Sequence, residues 1–82
     1  MRFLKLIHGK VFEVMMEIIC SIQQYDLDTK IGRIRKFGGD RISANFSKLP
    51  NKHVAKMMSL DRVVVKGQYE KNIFIVEEIQ SA

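Results

Sequence analysis

Two neighbouring runs of the chain alternate polar side chains with apolar ones. The first, KIGRIRKF, covers residues 30–37, and the second, RISANF, covers residues 41–46. Successive side chains of a strand point to opposite faces, so this alternation collects one set of polar groups on a single face. The set comprises Arg33, Arg35, Phe37, Arg41, Ser43 and Asn45. Guanidinium groups neutralise phosphates and stack on bases, and an aromatic ring is a stacking platform, so these residues suit a single-stranded nucleic acid.

Four further residues are expected to assist this face: Lys30, Lys36, Tyr69 and Lys71. Each candidate also has a purely structural interpretation. The basic side chains alternatively form a solvated face that protects an edge strand from aggregation. Because Phe37 lies close to a hairpin turn, the alternative for it is a buried position in the core at the end of the barrel. Tyr69 shares the strand parity of Val63 and Val65, so a buried position is the alternative for it.

The positive charge of the chain is concentrated in its middle third. Fourteen Lys and Arg against nine Asp and Glu give a net charge of +5. Residues 30–56 contain eight of the basic residues and a single acidic one, Asp40. Such a local field favours a polyanionic partner, because neutralising phosphates releases counterions. The alternative is that the lysines serve solubility alone.

Length and residue types disfavour catalysis. A chain of 82 residues forms one domain, here residues 1–82, and a core of that size leaves little room for a deep active-site cavity. His8, His53 and Cys20 do not have the spacing of a metal site, and Cys20 lies in an apolar row, which predicts a buried structural thiol. We therefore expect no enzyme activity, no cofactor and no metal.

The sequence also favours an intracellular location. The longest apolar stretch is interrupted by Glu13 and Glu17, so it falls short of the roughly 18 to 20 apolar residues of a membrane span. The first ten residues lack the pattern of a secretory signal. Cys20 is the single cysteine, which fits a reducing compartment. We expect a cytoplasmic protein that does not enter a membrane.

Turn residues divide the rest of the chain into further elements. Gly38-Gly39-Asp40 predicts a hairpin turn between the two alternating runs, with glycines where φ is positive. SKLPNKHVAKMMSL, residues 47–60, predicts a helix of about three turns with Pro50 in its first turn. RVVVKGQYE and NIFIVEEI, residues 62–70 and 72–79, are β-branched runs that predict a second hairpin.

The stretch KVFEVMMEIICSIQQYD, residues 10–26, fits two templates. With period 2 it has an apolar row from Phe12 to Ile22, and with period 3.6 it has a polar stripe that includes Glu13 and Glu17. Val, Ile and Phe supply six of residues 11–22, which favours a strand. Gly9 is also a poor helix cap. As a helix, with RFLKLI as a strand before it, the stretch would instead give a ferredoxin-like α+β fold.

The segments GKVFEVMMEIICSI and RVVVKGQYEKNIFIVEEI resemble the first strand and the closing strand pair of small OB-fold nucleic-acid-binding domains. The resemblance implies an all-β domain with one helix: a five-stranded OB-type Greek-key barrel in the order strand, strand, strand, helix, strand, strand. It also implies a bend or a bulge at Gly67. The binding face of such domains lies on strands two and three, between the loops expected here at residues 25–29 and 70–72. This points to non-catalytic binding of single-stranded DNA or RNA.

An interaction module is the alternative from another functional class. On the outward side of a strand over residues 10–26, Val11, Met15 and Ile19 interrupt the polar row. Exposed apolar residues of this kind suggest a protein partner or a homodimer.

Overall fold

The computed structural model describes the backbone of residues 3–7 and 10–82 and the side chains of residues 15–82. The expectations for His8 and Gly9, and that for the side chain of Val11, lie outside this part. Seven strands and one helix are described: β1 (Phe3–Ile7), β2 (Lys10–Val14), β3 (Met16–Tyr25), β4 (Ile31–Lys36), β5 (Arg41–Asn45), α1 (Asn51–Met58), β6 (Val63–Glu70) and β7 (Ile73–Ser81).

Five of the strands form a closed barrel in the order β3-β4-β5-β7-β6. Pairing between β3 and β6 closes it, and all neighbours are antiparallel except β5 and β7. The barrel strands and α1 follow the predicted order, with the helix between the third and fourth barrel strands. The predicted all-β class with a five-stranded barrel and one helix is confirmed, the ferredoxin-like alternative is wrong, and the barrel is compatible with an OB-like fold.

The prediction of one continuous strand over residues 10–26 is wrong in one respect. The strand is interrupted at Met15, and β2 pairs with β1 in a separate two-stranded sheet from Phe3 opposite Val14 to Ile7 opposite Lys10. RFLKLI carries its own strand-forming residues and lies next in sequence, and consecutive strands commonly pair with each other. Among the side chains that the structure describes, the apolar row that fills the barrel lies in β3, where Ile18, Cys20 and Ile22 are buried and Met16 packs against the core. The side chain of Phe12 lies outside the described part.

The core contains the apolar residues that alternate inward from each barrel strand and from the helix. Of the side chains that the structure describes, thirteen hydrophobic ones are buried in this core: Ile18, Cys20, Ile22, Ile34, Ala44, Phe46, Val54, Met57, Val63, Val65, Phe74, Val76 and Ile79. Cys20 has no exposed surface, and burial raises the pKa of its thiol to about 11, because an apolar environment disfavours the thiolate. The predicted buried position of this thiol is confirmed.

The helix is shorter than predicted. It spans eight residues, about two turns, with Pro50 at its N-cap. Val54 and Met57 are buried, and the ring nitrogen Nε2 of His53 lies 3.0 Å from the carbonyl oxygen of Ile79, so α1 is attached to β7. Within the described residues, no helix has the length and apolar character needed to cross a membrane.

A β-bulge interrupts the pairing of β6 with β7 at the predicted position. The register shifts between Lys66 and Gly67. A Cβ atom at Gly67 would collide with the carbonyl oxygen of Ile75, so only glycine permits this close approach of the two strands.

Candidate nucleic-acid interface

The hairpin of β4 and β5 places the basic residues. Its turn uses Gly38 and Gly39 at φ of 111° and 107°, as predicted from the Gly-Gly pair, since a side chain is strained in that region. The Lys36 amide donates to the Asp40 carbonyl over 2.7 Å, and the Gly39 amide donates to the Lys36 carbonyl over 3.0 Å. These bonds fix the register of the two strands beyond the turn.

That register produces two cross-strand rows on the outside of the barrel. One row consists of paired positions on β3, β4 and β5, namely Gln24, Arg33 and Ser43. The other row consists of the paired positions Ser21, Arg35 and Arg41. Side chains at directly paired positions share a face of the sheet. We call this surface the arginine face and define it by these six residues together with Gln23.

The three arginines of the arginine face are exposed. Among the side chains that the structure describes, no carboxylate forms a salt bridge with Arg33, Arg35 or Arg41; the salt bridge seen there joins Lys48 to Glu77 at 2.5 Å. Their guanidinium groups are therefore available to a ligand.

Three surface depressions lie along the arginine face. The loop-end depression, of about 490 Å³, is lined by Gln24, Tyr25, Asp26, Ile31, Gly32, Arg33 and Ser43. The central depression, of about 260 Å³, is lined by Gln23, Gln24, Arg33 and Arg41. The turn-end depression, of about 280 Å³, is lined by Ser21, Arg35, Lys36, Phe37, Gly38 and Gly39. Each depression thus has at least one arginine in its wall.

Phe37 provides an aromatic group at the turn end. Its side chain is 53% exposed, so it does not plug the core. The guanidinium carbon Cζ of Arg62 lies 4.7 Å from the centre of the ring, which is within the range of a cation–π contact. Phe37 also lines the turn-end depression.

The loop between β3 and β4 forms the rim at the other end. Asp26 Oδ1 accepts hydrogen bonds from the amides of Asp28 (2.8 Å) and Thr29 (3.2 Å). The Tyr25 hydroxyl donates to Asn51 Oδ1 on α1, and Asn51 Nδ2 donates to the Leu27 carbonyl over 3.4 Å. Burial, and secondarily the charge of Asp26, raise the pKa of Tyr25. The helix therefore holds this loop in place.

Several predicted residues lie away from the depressions. Lys30 is half-buried and its Nζ donates to the Leu49 carbonyl over 2.8 Å. Asn45 Oδ1 accepts from the Ser47 amide over 2.8 Å. Both side chains thus stabilise the loops that follow their strands.

Tyr69 and Lys71 also lie outside the three depressions. Tyr69 is half-buried, and its ring packs edge-on against Phe74 with the centroids 5.2 Å apart. This position agrees with its inward parity. Lys71 is exposed in the turn between β6 and β7, at φ of 59°. Because Ser43 pairs with Ile73, this turn lies beside the start of β5.

Four residues of this region were not predicted from the sequence: Ser21, Gln23, Gln24 and Arg62. The first three follow from the pairing of β3 with β4, which places the end of β3 beside the arginines. A signal for two of them was present, since QQ breaks the alternation at the end of the apolar row. Arg62 reaches Phe37 only through the tertiary fold, so no local pattern indicated it.

Within the part of the chain that the structure describes, no three His, Cys, Asp or Glu residues cluster in a way that would hold a metal ion.

The fold and site together define a small closed barrel with one helix and an arginine-lined outer face. In comparisons with known proteins, no family model, no curated protein and no solved structure matches the chain.

Proposed function

We propose that this chain binds single-stranded DNA or RNA, without catalysis, through the arginine face. The observation that supports this best is that each of the three depressions on the face is lined by at least one arginine. Arginines 33, 35 and 41 come from two paired strands and therefore have fixed spacing. A row of fixed cations matches the regular phosphates of a polynucleotide, and phosphate contacts supply most sequence-independent affinity.

The preference for a single strand over a duplex rests on Phe37. Its half-exposed ring borders the turn-end depression, and an unpaired base can stack on such a ring. This contact contributes about 1 to 3 kcal/mol per base in single-strand-binding proteins. In a duplex the bases are already stacked on each other and do not reach the ring.

The groups on this face are suited to binding rather than to turnover. Guanidinium groups neutralise phosphate, the ring stacks, and hydroxyl and amide groups donate and accept hydrogen bonds. The carboxylate at the loop end, Asp26, already accepts two backbone hydrogen bonds within its own loop. The proposal therefore includes no chemical step.

Fluorescence anisotropy with a labelled oligonucleotide tests this function. The titration is made with a single strand and with the matching duplex, at about 50 mM and about 200 mM salt. The single strand is expected to bind more tightly at both, and affinity is expected to fall as salt rises. Equal affinity for strand and duplex would contradict the stacking contact, and no binding at low salt would contradict the function.

A double variant assigns the phosphate contacts to the face. Replacing Arg33 and Arg35 by Ala is expected to weaken binding and to reduce the slope of log K against log salt by about 1.4, since each contact to a single strand contributes about 0.7. The matched control replaces Lys52 and Lys56, which are exposed on α1. It removes the same charge from outside the face and is expected to leave the slope nearly unchanged. Equal effects of the two double variants would show that net charge, not the face, governs binding.

A second candidate function is self-association through the outer side of β3 and β6. Ile19, which is 50% exposed, pairs directly with Val64, and Met15 is 44% exposed. Next to this apolar pair, Lys66 lies between Glu17 and Glu78 in a cross-strand row of alternating charge. A two-fold axis that lies between Glu17 and Lys66 would place Lys66 of each copy opposite Glu17 of the other.

A further inference from the structure

The end of β3 contains a bulge that faces the central depression. Ile22 pairs with Ile34, but the next pair joins Gln24 to Arg33, so Gln23 is an extra residue without a counterpart in β4. The burial pattern changes at the same point. Ile22 is buried, whereas Gln23 and Gln24 are both exposed. Two consecutive side chains of one strand therefore point outward, which a regular strand does not allow.

The residues around the bulge hold its backbone in position. On one side Ile22 is anchored in the core, and on the other the Tyr25 ring packs edge-on against Phe46, with the centroids 5.4 Å apart. Across the sheet, the backbone of Gly32 approaches the carbonyl of Gln24 so closely that a Cβ atom would collide with it. The two glutamines are thus positioned by the barrel itself rather than by a mobile loop.

The bulge brings two amides together with two guanidinium groups. The central depression is lined by Gln23, Gln24, Arg33 and Arg41. Arginine donates hydrogen bonds but accepts none, whereas a glutamine amide does both. The Nε2 of Gln23 donates to Ser21 Oγ over 2.9 Å, which leaves its Oε1 as an acceptor for a ligand. Phosphate has no donors to offer this oxygen, so the amides point to a partner that carries donors and acceptors on one edge.

We propose that the central depression reads a guanine base of the bound strand. This inference rests on the proposed function and adds a base preference to it. The O6 and N7 atoms of guanine are adjacent acceptors that a guanidinium group contacts with two hydrogen bonds. The N1–H and N2–H groups of guanine are donors that the glutamine oxygens accept. Adenine offers arginine only one acceptor, N7, on the same edge, and thymine has no two adjacent acceptors. Cytosine has adjacent acceptors in O2 and N3 but a single donor group, the N4 amine, in place of the N1–H and N2–H groups of guanine.

Base analogues in a short labelled oligonucleotide test this readout without any change to the protein. A thymidine oligonucleotide with one central guanine is compared by anisotropy with versions that carry adenine, 7-deazaguanine or inosine. Guanine is expected to bind roughly 5- to 150-fold more tightly than adenine, the range of one good two-bond contact. 7-Deazaguanine, which lacks N7, and inosine, which lacks the N2 amine, are each expected to lose part of this preference. Equal binding of guanine and adenine would overturn the readout.

A protein variant identifies the residues responsible. Replacing Gln23 and Gln24 by Ala is expected to remove the discrimination between guanine and inosine, because no glutamine oxygen then accepts from the N2 amine, and to reduce the preference for guanine over adenine to the part that the arginines supply. The matched control is Gln80→Ala, an exposed glutamine of β7, which is expected to retain the preference. A double variant that still discriminates guanine from inosine as the parent chain does would refute the assignment.

The failure of this inference differs from failure of the proposed function. If all the oligonucleotides bind with one salt-dependent affinity, the strand binds but no base is read. If no oligonucleotide binds at low salt, the proposed function is wrong, and the inference that a base is read is then wrong as well.

Discussion

The guanidinium group of Arg62 lies over the ring of Phe37, with Cζ 4.7 Å from the ring centre. The two residues are far apart in sequence, since Phe37 follows β4 and Arg62 precedes β6. The contact supports the ring from one side while about half of the side chain stays exposed. The cation–π contact therefore orients the Phe37 ring before a ligand binds. A base would stack on the exposed part of the ring.

Replacing Phe37 by Ala is expected to weaken single-strand binding by about 1 to 3 kcal/mol and to leave the salt slope unchanged, because stacking involves no phosphate contact. Anisotropy titrations at two salt concentrations measure both quantities. Phe37→Leu, which keeps an apolar side chain but removes the ring, serves as the control and is expected to lose most of the same affinity. If Phe37→Leu binds as tightly as the parent chain, the ring does not stack on a base.

Replacing Gly32 by Ala is expected to destabilise the barrel by roughly 3 kcal/mol. The added methyl group collides with the backbone carbonyl of Gln24 and approaches the Phe46 ring, and overpacking against backbone cannot be relieved by a change of rotamer. Urea unfolding measures the change.

Gly39→Ala is the control for this substitution. Its Cβ would meet open space, but φ is 107°, so only backbone strain of about 1 to 2 kcal/mol is expected. A Gly32→Ala variant no less stable than Gly39→Ala would mean that β4 can move away from the bulge, and that Gln24 is not fixed.

The strand alternation of the sequence predicted most of the arginine face, while the barrel was predicted from the order of the elements and the resemblance to OB-fold domains. Ile34, Ala44 and Phe46 have no exposed surface, and Arg33 and Arg35 point outward, as the period-2 pattern indicated. The positions of these side chains depend only on the parity of one strand. The local sequence pattern is therefore sufficient to predict which face of the strand each side chain occupies.

The features that were missed depend on pairing between strands. The interruption at Met15 follows from the pairing of β2 with β1, and the extra residue Gln23 exists only relative to β4. Lys30 was predicted to assist at the face, but its ammonium group donates to the Leu49 carbonyl. A long basic side chain can turn toward a neighbouring carbonyl as readily as toward solvent, and parity does not decide between the two.

Cys20 is expected to make the stability of the barrel depend on alkaline pH. Burial raises the pKa of its thiol from 9.0 to about 11, so the folded state holds this proton more tightly than the unfolded state. The resulting stabilisation is complete below pH 9 and is lost as the pH rises through 9 toward 11. The free energy of unfolding should therefore fall by roughly 1 kcal/mol per pH unit in this window.

Urea unfolding of the parent chain and of Cys20→Ala, at about pH 8 and about pH 10, isolates this effect from the titration of tyrosine and lysine. The variant is less stable at the lower pH because it leaves a cavity. The difference between the two proteins should narrow at the higher pH. A constant difference would show that the thiol ionises as easily in the folded state as in the unfolded one.

Replacing Ile19 by Thr is expected to weaken any dimer formed through the outer side of β3 and β6. Ile19 is half exposed and pairs with Val64, so a partner that covers it removes apolar surface from water, at about 25 cal/mol per Å². Threonine keeps a β-branched side chain suited to a strand but loses much of this gain. Sedimentation equilibrium of the parent chain should give twice the 9.5 kDa of one chain, and the variant should shift toward the monomer.

Leu27→Thr is the control, because Leu27 is 60% exposed but lies in the loop between β3 and β4, away from this surface. It should leave the mass unchanged. Because the arginine face lies on β3, β4 and β5, the Ile19→Thr monomer should still bind the oligonucleotide with an unchanged salt slope. A parent chain that sediments as a monomer at every concentration would exclude self-association, while the loss of oligonucleotide binding in Ile19→Thr would show that two copies are needed to complete the site.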